Sequence, residues 1–85
     1  MAVTTPEWLA LHGGELLPSR DGRSWVVYLN KEPQYLVMPV PAEGKFSCRV
    51  SQTVNGRRLD DGATWATIPE ALAGGLEELR QKLGW

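Results

Sequence analysis

The sequence predicts an α+β domain: a three- to four-stranded antiparallel sheet, a short N-terminal helix, and a C-terminal helix packed on one face. Three observations carry this expectation. Phe46-Ser47-Cys48-Arg49-Val50-Ser51-Gln52-Thr53-Val54 alternates apolar and polar residues, as a half-buried strand does. Ser24-Trp25-Val26-Val27-Tyr28-Leu29 concentrates β-branched and aromatic residues. Leu72, Leu76, Leu79 and Leu83 recur at spacings of 4, 3 and 4, one stripe of an amphipathic helix. With 85 residues, positions 1–85 have room for one core and are read as one domain.

Thr5-Pro6-Glu7 starts the first helix: Thr5 can cap, Pro6 suits the first helical position, and Glu7 complements the dipole. It is expected to end near His12, before Gly13-Gly14, with Trp8, Leu9 and Leu11 lying across a sheet edge. Glu15 to Pro18 reads as a short edge strand, and Asp21-Gly22 as part of a turn. The Ser24–Leu29 strand is apolar on both faces, which predicts at least partial cover on both sides. Asn30-Lys31-Glu32-Pro33 turns the chain into Tyr35–Met38, a strand expected to stop at Pro39-Val40-Pro41, since proline cannot donate to a ladder.

In the Lys45–Val54 strand, Phe46, Cys48, Val50 and Val54 are expected to point inward, with Lys45, Ser47, Arg49, Ser51 and Thr53 outward. Asn55-Gly56 predicts a tight type I′ hairpin that sets Val54 opposite Arg57 and Gln52 opposite Leu59. Asp60-Asp61-Gly62 breaks or bulges the return strand before Ala63-Thr64-Trp65. Thr67 and Glu70 form a capping box, Gly84 is a left-handed stop, and Trp85 is expected to fold back towards Leu79. Glu78 and Lys82 sit at the i,i+4 spacing of a supporting ion pair. Gly74-Gly75 contradicts the helix locally. Gly75 lies on the apolar row and suits close packing, whereas Gly74 lies off it.

Composition excludes several function classes. A single cysteine, Cys48, permits no internal disulfide and no thiolate metal cage, and a small chain without disulfides fits a reducing, cytoplasmic setting. The N-terminus lacks the basic start and apolar run of a signal peptide, and no stretch reaches membrane-spanning length. Residues 1–58 carry seven Lys and Arg against five Asp and Glu, and residues 59–85 two against five. The overall charge of −1 is far from the basic excess of a dedicated nucleic-acid binder.

Catalytic, cofactor and metal residues are assigned to none. His12 is the only histidine and fits the end of a helix; Cys48 holds an inward strand position and reads as a small hydrophobe. Asp60-Asp61 lacks the ligand number of a calcium loop, and the paired glycines lack phosphate-loop spacing. Gly62-Ala63-Thr64-Trp65-Ala66-Thr67-Ile68-Pro69-Glu70-Ala71-Leu72 resembles antitoxins of the HicB type. What it shares with them is mostly the capping box; their glycine-rich strand signature is missing, so no function is carried over.

Two features point to binding. High tryptophan content in a short chain without cooperating catalytic groups points to a protein partner or self-association. If helices cover only one side of the sheet, Val26, Tyr28 and Tyr35 or Leu36 leave an apolar patch on the other; the alternative is that the first helix covers it. Lys45, Arg49, Arg57 and Arg58, with Tyr28 or Tyr35 nearby, form a candidate basic sheet face for nucleic acid, the alternative reading. A non-enzymatic interaction module is the expected class.

Overall fold

A computed structural model describes residues 5–60 and 62–85. The elements run α1 (Glu7–Leu11), β1 (Gly14–Pro18), β2 (Trp25–Leu29), β3 (Glu32–Ala42), β4 (Lys45–Gln52), β5 (Thr64–Trp65) and α2 (Ile68–Leu83). The strands form one antiparallel sheet in the order β1-β2-β3-β4-β5, so each pairs only with its neighbours in the chain. The sheet has five strands because the segment before α2 adds a two-residue edge strand at Thr64–Trp65. The Cα radius of gyration, 11.9 Å, is that of a compact domain of this length.

Register assigns the faces. Leu16 pairs with Val27, Trp25 with Val37, and Val37 with Val50, so these side chains share the face that α2 covers. Against them the helix sets Ala71, Leu72, Gly75, Leu76 and Leu79, all buried. The stripe predicted from leucine spacing is therefore the packed one, with Leu83 partly buried at its end. α1 packs against β1 and sends Leu9, fully buried, into the same core. Both helices thus lie on one side of the sheet.

The glycine pair in α2 has a physical reason at both positions. A Cβ added at Gly75 would strike Cys48, and one added at Gly74 would strike the indole of Trp65. Gly74 is thus a close-approach glycine too: β5 brings Trp65 against the flank of the helix, beside the leucine stripe.

Several local expectations are corrected. Pro39 and Pro41 lie inside β3, paired with Cys48 and Phe46. They are tolerated because β2 starts at Trp25, opposite Val37, and presents no strand to that side of β3 beyond it. The tight turns with positive φ at two successive residues fall at Asn30-Lys31 (53° and 65°) and Glu43-Gly44 (49° and 79°); at Asn55-Gly56 only Gly56 is positive, at 69°. There β4 ends at Gln52, Ser51 bridges Arg58, and the Leu59 N–H donates to the Val50 carbonyl at 2.7 Å. Asn55 instead accepts the Arg57 N–H with its side chain. This wider loop moves Leu59 over the core and leaves Val54 86% exposed rather than inward.

Thr5 does not cap α1. Pro6 holds the cap position, and the Thr5 hydroxyl accepts the Leu16 N–H at 3.1 Å, tying the helix entry to β1. Thr67 does cap α2, accepting the Glu70 N–H, and Gly84 ends it at φ 75°. Beyond that stop Trp85 packs against α1: its ring lies flat on His12, centroids 3.9 Å apart, and 6.1 Å from Trp8. Arg80 ties the end of the helix, pairing with Glu77 and donating to the Trp85 carbonyl at 2.9 Å.

Candidate interaction surface

The far side of the sheet carries no helix. Alternation puts Leu17 of β1, Val26 and Tyr28 of β2, and Leu36, Met38 and Val40 of β3 on that face. Leu17 pairs with Val26 and Val26 with Leu36, so one apolar row crosses three strands. Leu17 is 43% exposed and the others are half-buried. The sequence cause is that β2 and β3 are apolar at both parities, so one set of side chains fills the core and the other faces away. Cover on both sides of β2, expected from that pattern, is not found among the described residues.

On β4 the same face turns polar, presenting Lys45, Ser47, Arg49 and Ser51 as the alternation predicts. Arg49 stands opposite Met38. Arg58 bridges Ser51, and its guanidinium binds the Asp60 carboxylate, with Nε to Oδ1 at 3.1 Å and Nη2 to Oδ2 at 2.5 Å. A depression of about 250 Å³ is lined by Leu36, Met38, Arg49, Ser51, Gly56 and Arg58. Arg57 is exposed in the loop. Tyr28 lies on this face, two strands from Arg49. Tyr35 does not: it pairs with Val27 and packs against the core on the helix side. The six candidate contact residues therefore divide, with Lys45, Arg49, Arg58 and Tyr28 on one face, Tyr35 on the other and Arg57 in the loop.

Asp60 is a structural anchor. Its side chain is 3% exposed and accepts the Val50 N–H at 3.1 Å as well as the Arg58 bonds. The Arg58 guanidinium, aided by that backbone donor, holds the carboxyl below its ordinary value against the opposing effect of burial. The neighbouring Asp61 lies outside the described residues.

Cys48 and His12, the thiol and imidazole considered for chemistry, are each packed against neighbours and far from each other. Burial pushes the Cys48 thiol up to about 12, and the Glu78 and Asp60 carboxylates add to it, the opposite of the thiolate a nucleophile requires. His12 stacks on Trp85 beyond the end of α2, whereas Cys48 lies under Gly75, ten residues earlier, which is about 15 Å along a helix. Among the described residues no group of three or more His, Cys, Asp or Glu could hold a metal ion. No helix among them is long and apolar enough to cross a membrane.

The apolar centre of this face was only partly readable beforehand. Its sequence signal was Val26 and Tyr28 with Tyr35 or Leu36; Met38 closed the expected strand, and Val40 was hidden because Pro39 and Pro41 argued against that strand continuing. Comparison with family models, with curated proteins and with solved structures finds no match, the HicB-type antitoxins included.

Proposed function

We propose that this protein is a non-enzymatic interaction module that binds a protein partner, or a second copy of itself, through the helix-free face of its sheet. The supporting observation is the continuous apolar row from Leu17 through Val26 to Leu36, extended along β3 by Met38 and Val40, with no element over it among the described residues. Patches of this kind on small domains mark partner surfaces. The rim suits the role, since Lys45 and Arg49 border the oily centre with charge, as in the polar margin of protein interfaces.

Nucleic-acid binding is less well supported. Strand-tolerant binding needs several aromatic platforms beside the basic groups, and among the described residues of this face Tyr28 is the one aromatic. Arg58 is already engaged by Asp60.

Sedimentation equilibrium and affinity capture, run on the parent chain and on Leu36→Glu, test the proposal. The expected result is a dimer or a stable complex that Leu36→Glu abolishes while circular dichroism and Tm stay unchanged. A strict monomer whose captured proteins are the same with and without Leu36→Glu overturns it. Titration with mixed-sequence DNA and RNA would restore the alternative if it revealed affinity that falls steeply with salt.

A further inference from the structure

The helix side of the sheet is not fully roofed. At the N-terminal end of α2, a cleft of about 600 Å³ opens between the sheet and the helix, lined by Trp25, Pro39, Pro41, Phe46, Ile68 and Pro69. Its volume lies within the range of small-molecule sites. The fold makes this opening. Pro39 and Pro41 face the helix side, and β2, which begins at Trp25, gives them no neighbouring strand. The first residue of α2, Ile68, is left 41% exposed beside them.

One charged residue borders this apolar cleft: Arg23, which with Gly22 lies in the turn just before β2. Among the described residues its guanidinium makes no ion pair. The nearest acid in sequence, Asp21, turns its carboxylate to the Ser19 hydroxyl at 2.6 Å and to the Arg23 backbone N–H at 3.0 Å. The two opposite charges attract across this turn without a direct ion pair. The helix start adds positive field but few donors. Pro69 has no N–H, and the Glu70 and Ala71 N–H groups both donate to Thr67.

We infer that this cleft binds a small monocarboxylate with a flat or branched apolar body. The apolar part lies against Trp25, Phe46 and the two prolines, and the carboxylate meets the Arg23 guanidinium, whose planar fork matches it. The site is on the opposite side of the sheet from the proposed docking face, and the inference stands independently of that proposal.

The test is a nitrogen-15 NMR titration of the intact protein with 2-naphthoate and, separately, with the neutral isostere 2-naphthamide. Both compounds are expected to shift the Trp25 indole N–H and the Phe46 and Ile68 amides, the carboxylate binding about fivefold more tightly, as one partly exposed charge pair allows. In Arg23→Gln that preference should vanish while 2-naphthamide binds as before. Three results would each overturn the inference: no shift at these signals at millimolar ligand, equal affinity of the two compounds for the parent chain, or shifts confined to the Leu36–Met38 face.

Discussion

At the scale of single residues, the positions that decide most are those where something is missing or hidden. Gly74 lacks the carbon that Trp65 would collide with, so Gly74→Ala sets a helix gain of up to about 1 kcal/mol against an overpacking cost of about 1–3 kcal/mol. Chemical denaturation should show Gly74→Ala destabilising the parent chain. In a Trp65→Ala background, where the ring is gone, the same substitution should become stabilising. Equal effects in the two backgrounds would deny the contact. Asp60 gives a second test. Its carboxyl titrates lower in the folded than in the unfolded state, so the stability it contributes is present above its ordinary value near 3.8 and is lost as pH falls through the folded value. Asp60→Asn should cost about 1.5–3 kcal/mol at neutral pH, the worth of hydrogen bonds to a charged group. It should also flatten the decline of stability on acidification, read from urea melts across pH.

At the scale of elements, much was legible because local signals agreed with tertiary need. The Thr67 cap, the leucine stripe and the Gly84 stop each follow from backbone chemistry that no neighbour overrides. The misreadings occurred where a distant strand decided the outcome. Whether Pro39 and Pro41 end a strand depends on where β2 begins. Asn55-Gly56 is a strong turn signal by itself, yet Leu59 gains more by lying over the core, and Asp60 supplies the Val50 N–H with a partner in that register. The join between the two helices was likewise hidden, since neither segment by itself announces that Trp85 will lie on His12. Trp85→Ala removes that stack and the contact with Trp8, and should lower stability by about 1–3 kcal/mol with a matching fall in Tm. An unchanged Tm would mean that α1 is held by Leu9 and the Thr5 bond alone.

At the scale of the whole molecule, the two sides of the sheet have different characters for one reason. Both helices return to the same side, and the apolar residues of opposite parity in β2 and β3 are left facing outward. The basic part of the candidate site was legible from the alternation of β4, which set Lys45 and Arg49 correctly. The side of Tyr35 was not, because it is set by tertiary pairing, with Val27 on β2 beside a bulge at the Val27–Tyr28 step and with Gln52 on β4. The neighbour-to-neighbour strand order carries one more consequence. Successive hairpins can zip as the polypeptide is made, but the leucines that must shield the growing ribbon arrive only in its last stretch, after every strand. Until that stretch emerges, the nascent ribbon shows grease to water on both sides, which is the moment when this small protein would most depend on a chaperone.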